Sequence, residues 1–68
     1  MLTVKQVIEI ARSHLENGAA MASSARVSLG DAVRCYDLGD FERARSRALD
    51  SLKYSVGIFH ADYARAAK

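Results

Sequence analysis

Apolar residues recur without a slip of phase through the first half of this chain. Val4, Ile8, Ala11, Leu15, Gly18, Ala22, Ala25, Leu29, Ala32 and Tyr36 follow at alternating steps of four and three. A second series, Phe41, Ala44, Ala48, Leu52, Val56, Phe59, Tyr63 and Ala66, keeps the same kind of spacing. Steps of three and four put side chains on one face of a helix, so the chain is read as all-α. Between the two series stands Asp37-Leu38-Gly39-Asp40. Gly39 suits the left-handed position that closes a helix, and Asp40 can accept from the free N–H groups that open the next. Thr3 with Gln6 three residues on has the form of a capping box, which places a helix start at Val4.

The pattern leaves two architectures open. Asn17-Gly18 reads as a stop, which gives a small three-helix bundle with helices over 4–16, 19–37 and 41–66. Alternatively the unbroken seam makes the first two helices continuous. The chain is then a long antiparallel hairpin that dimerises into a four-helix bundle. In that hairpin Tyr36 faces Phe41, and residues whose numbers sum to about 77 lie opposite each other. Either way residues 1–68 are one helical domain, and the alanines along both seams require close helix axes.

The chain has 68 residues, a single cysteine and no proline. A domain this short is marginally stable alone and usually adds disulfides, a metal or oligomerisation. Cys35 has no intrachain partner, and no Cys/His set with structural-zinc spacing occurs. Oligomerisation remains. Tyr54, Ile58 and Ala61 form a second apolar stripe on the last helix, with Val7 and Ile10 off the main seam of the first. These five residues are the candidate interface of a homo-oligomer, expected to be a dimer.

From Ser28 onward the chain resembles a single tetratricopeptide-like helical hairpin, over residues 28–56. The matching residues are Ala32, Gly39, Asp40, Phe41, Ala44 and Ser51. Asp31 and Cys35 depart from it, standing where that family prefers large apolar residues, and no proline follows the second helix. The resemblance implies a helical hairpin and protein binding. A single repeat does not stack into that family's concave groove.

Candidate chemistry is sparse. No Gly-rich phosphate loop, nucleophile elbow or paired-carboxylate cleft is present, so a non-enzymatic module with no cofactor is expected. His14 and His60, the only histidines, fall within a turn of each other by the hairpin's pairing rule, near Glu16 and Asp62. That is the remote alternative of a metal site; two separate surface histidines are the preferred reading, and no metal ligand is assigned. Cys35, beside Arg34, is read as a half-buried hydrophobe rather than a reactive thiol. Arg34, Arg43, Arg45 and Arg47 gather near the Gly39 turn, which offers a nucleic-acid regulator as the alternative function. Asp31, Asp37, Asp40 and Glu42 at the same end offset that field, and the net charge is only +2. Phe59 and Tyr63 fall on the core seam, and Tyr54 is left as an interface anchor.

Met1 to Lys5 lack the basic-then-apolar order of a signal peptide, and no apolar run is long enough to span a membrane. With one cysteine, the expectation is a cytoplasmic protein. The reading is a small helical protein–protein interaction or adaptor module, homo-oligomeric, which also binds another protein in one version. Neither nucleic acid nor membrane is its expected partner.

Overall fold

The computed structural model describes residues 1–68 and contains only helices. They are α1 (Val4–Glu16), α2 (Ala22–Asp37), α3 (Phe41–Val56) and a short α4 (Ala61–Ala67).

Each boundary has a local chemical cause. The Gln6 amide donates to Thr3 Oγ1 at 3.1 Å, and the Thr3 amide donates to Gln6 Oε1 at 2.9 Å. This is the reciprocal capping box, and it starts α1 where the sequence placed it. α2 ends in a Schellman turn: Asp40 N–H donates to the Cys35 carbonyl at 2.9 Å and Gly39 N–H to the Tyr36 carbonyl at 3.0 Å. Gly39 makes this possible with φ of +82°, a conformation that a Cβ disfavours. Asp40 Oδ1 then accepts from the Arg43 amide and opens α3.

Three expectations are corrected. The long hairpin does not form, because Gly18 adopts φ of +99° and the chain turns after Glu16. A continuous helix over residues 4–37 would run about 51 Å, yet the longest dimension of the molecule is 29 Å. The second helix begins at Ala22 rather than at residue 19. The Ala20 and Met21 amides are instead committed to the Ser55 and Tyr54 carbonyls at 3.3 and 3.1 Å. They satisfy acceptors that the end of α3 leaves free. Finally, no helix runs over 41–66. Gly57, with φ of +88°, ends α3, and His60 caps a separate α4.

α2 and α3 pair antiparallel, with Tyr36 edge-on to Phe41 at 5.2 Å at one end. Further along, the Ser51 hydroxyl donates to the Ala25 carbonyl at 2.8 Å, both residues being buried. α1 lies across this pair. The core joins Val7, Ile8 and Ala11 of α1, Leu29 and Ala32 of α2, Ala48 and Leu52 of α3, and Ala66 of α4. The break at Gly57 lets α4 bring Ala66 back onto this cluster. Ser55 Oγ is buried without a hydrogen-bond partner.

Candidate functional site

The expected interface residues do not share one surface. Val7 is fully buried, so it belongs to the core and not to an interface. The reason is that α1 crosses the α2–α3 pair, which covers a wider arc of α1 than a single seam does. Ile10 is half-buried. Tyr54 is half-buried near the end of α3, Ile58 lies in the α3–α4 turn, and Ala61 opens α4. The break at Gly57 therefore divides the supposed stripe of Tyr54, Ile58 and Ala61. Phe59, assigned by its spacing to the core, is instead 97% exposed. Gly57 turns the chain two residues before it and removes it from the face it would occupy in a continuous helix.

A different surface results. The hydrogen bonds from Ala20 and Met21 to the last turn of α3 put the α1–α2 connection and the α3–α4 turn at the same end of the molecule. That end carries Met21, 55% exposed, Ile58, 50% exposed, and Phe59. Sequence periodicity missed it; the signal available was Gly57 followed by His60-Ala61-Asp62, a stop and start like that at Gly39-Asp40.

The same end holds a polar cluster that joins α1 to α4. His14 stands in the last turn of α1, His60 is the N-cap of α4, and Asp62 lies in the first turn of α4. His14 Nε2 is 2.7 Å from Asp62 Oδ2, and the His14 and His60 rings meet edge to face at 5.1 Å. The two histidines are thus neighbours rather than separate surface groups. They meet without the long hairpin, because α1 stops before Gly18 and α4 starts after Gly57. The hydrogen bond from His14 holds the Asp62 carboxyl below the usual aspartate range, and Arg65 adds to the effect through its charge while burial opposes it. With Asp62 ionised, His14 Nε2–H is the donor. His60 Nδ1 accepts from the Asp62 amide at 3.0 Å, so a neutral His60 carries its proton on Nε2. Each group also suits its position: a cationic imidazole complements the C-terminal end of α1, and a carboxylate the N-terminal end of α4.

The remaining candidates separate. Cys35 is buried, and its sequence neighbour Arg34 turns to Asp31 at 3.0 Å. Arg47 binds Asp31 at 2.9 Å and Asp50 at 3.0 Å, and Arg45 donates to the Leu2 carbonyl. Of the four arginines near the Gly39 turn, only Arg43 makes no side-chain ion pair or hydrogen bond. Lys53 lies over the Tyr54 ring, 5.4 Å from its centre. No helix is long and apolar enough to cross a membrane.

No family model, curated protein or solved structure matches this chain.

Proposed function

We propose that this chain is a small helical interaction module that self-associates through the end bearing Met21, Ile58 and Phe59. The observation that carries the reading is the exposed Phe59 side chain beside a half-exposed Ile58, in a protein whose own core is largely alanine. A two-fold interface uses the same patch on both copies, so the patch must complement itself. Three uncharged apolar side chains meet that requirement, whereas the mixed charges along α2 and α3 do not.

Magnitudes allow at most a weak, reversible dimer. The accessible surface is 4247 Å², close to the roughly 4,200 Å² of a compact monomer of this mass. The fold closes on its own core, so association adds a patch rather than completing a half-built interior. Burying Phe59 and the exposed half of Ile58 from two copies yields on the order of 5–9 kcal/mol. The rigid-body cost of association is about 4–15 kcal/mol. The favourable end of that balance, about 5 kcal/mol, corresponds to a dissociation constant of a few hundred micromolar.

Sedimentation velocity across a concentration series tests this. The parent chain is expected to pass from monomer to dimer, with a melting temperature that rises with concentration. Phe59→Ser should stay monomeric and keep the parent's helical circular dichroism. A parent that remains monomeric up to about 1 mM, above the dissociation constant at the favourable end, removes the proposal.

A further inference from the structure

We propose that His14, His60 and Asp62 form a binding site for a divalent transition-metal ion of the zinc class, tying α1 to α4. The inference is independent of self-association and concerns the polar cluster alone. One ligand atom from each of these three residues lies within 4.8 Å of the others. The residues come from the last turn of α1, the cap of α4 and its first turn, so the site depends on the tertiary fold.

Chemistry selects the ion. Two imidazoles and one carboxylate match zinc, copper or nickel and are a poor set for magnesium or calcium, which take oxygen ligands. Three protein ligands leave a coordination position open to water, and His60 is exposed, so an ion has access from solvent. The nearest pair needs a small adjustment, and ligand atoms up to 4.8 Å apart must draw in to the spacing of ligands on one ion. His14 Nε2 and Asp62 Oδ2 stand 2.7 Å apart around a shared proton. Two ligands on a tetrahedral zinc, each about 2.0–2.1 Å from it, are about 3.3 Å apart. Replacing the proton with the ion therefore asks these groups to separate by roughly half an ångström.

The bonds present in the metal-free chain define what must be exchanged. His14 frees Nε2 of the proton that it donates to Asp62: a neutral ring carries that proton on Nδ1 instead, and a cationic ring releases it to solvent and keeps the one on Nδ1. His60 Nδ1 holds the Asp62 amide. Coordination through Nδ1 takes that lone pair, and coordination through Nε2 moves the ring proton to Nδ1. Both end the hydrogen bond that caps α4. Metal binding and the His60 cap are therefore mutually exclusive, and the Asp62 amide reports the exchange directly.

The test is a titration of the untagged chain with zinc chloride by calorimetry, with amide NMR in parallel and cobalt(II) as a visible probe. Expected are one site per chain with a dissociation constant below about 100 µM, a rise in melting temperature, and a large shift of the Asp62 amide. Cobalt(II) should give the visible absorption of a low-symmetry, four- or five-coordinate ion. His14→Gln, His60→Ala and Asp62→Asn should each weaken binding by about tenfold or more. His60→Ala removes the imidazole and with it the α4 cap, so the variant is first checked for the parent's helical circular dichroism. Zinc binding weaker than about 1 mM, or binding left unchanged by His60→Ala and His14→Gln, overturns the proposal.

Discussion

At the scale of single residues, Asp31 is a carboxylate held by two arginines. It accepts from Arg34 in its own helix and from Arg47 across the α2–α3 pair. The sequence marked Asp31 only as an oddity, a carboxylate where a tetratricopeptide-like hairpin prefers an apolar group. Its position explains the choice: a half-buried site on α2 facing an arginine of α3. The hydrogen bond from Arg34 is the largest cause holding the Asp31 carboxyl below the usual value near 3.8; burial opposes it, and Arg47 reinforces it. A carboxyl that titrates lower in the folded chain than in the unfolded chain stabilises the fold above the unfolded value. That stabilisation is lost as the pH falls through the folded value. Urea midpoints of the parent should therefore decline as the pH drops below about 4. Asp31→Asn should be less stable than the parent at neutral pH, with the difference shrinking in acid. A constant difference across the acid range would mean that the substitution acts through packing and not through the Arg34 and Arg47 bonds. Both partners are at least partly exposed, so the neutral-pH loss should be modest.

At the scale of helices, glycines decide where this chain stops, and their substitution should separate by sign. Gly18 has φ of +99° and open space around it, so an added methyl meets strain in the backbone and no clash. Gly18→Ala should cost about 1–2 kcal/mol. Gly30 lies inside α2, has no left-handed φ and is also unobstructed. Gly30→Ala should stabilise by about 0.5–1 kcal/mol, through helix propensity and a less flexible unfolded chain. Chemical denaturation of both variants checks the pair, and a stabilising Gly18→Ala would point to a continuous helix through residue 18. The same glycines mark what the sequence could convey. Thr3 with Gln6, and Gly39 with Asp40, are local hydrogen-bonding units, so the start of α1 and the α2–α3 turn were legible. The pairing rule was legible too: Ala25 with Ser51, Asp31 with Arg47 and Tyr36 with Phe41 all follow it. The break after Glu16 was legible in Asn17-Gly18 as one of two alternatives, and the break at 57–60 was obscured, because apolar residues continue in phase across both. Spacing identifies which residues are apolar on a helical face; it does not report whether the helix between them is continuous. His60 hid the second break further, since an imidazole nitrogen acting as N-cap lies outside the usual Ser, Thr, Asp and Asn set. The adjacency of His14 and His60 entered only as the remote alternative, argued from a hairpin that does not form; the real turns after Glu16 and Val56 bring the two rings together instead.

At the scale of the whole molecule, four helices share one small core, and its few large side chains carry most of the apolar burial. A domain of 68 residues has a total stability of about 3–10 kcal/mol. Leu52 is the largest side chain in it that is fully buried, and it lies in one cluster with residues from α1, α2 and α4. That cluster includes four alanines, Ala11, Ala32, Ala48 and Ala66, which have no rotamers with which to refill a void. Leu52→Ala should therefore fall in the upper part of the range of about 2–5 kcal/mol for such truncations. That is enough to leave a large unfolded fraction at physiological temperature. In dilute solution, where the chain is monomeric, the urea midpoint should drop sharply while the slope of the transition is retained. Leu38, 77% exposed beside the Gly39 turn, is the matched control. Leu38→Ala should stay within about 0.5 kcal/mol of the parent, because little of its side chain leaves water on folding. Comparable losses at the two positions would mean that the helices do not converge on Leu52, and the single shared core would have to be abandoned.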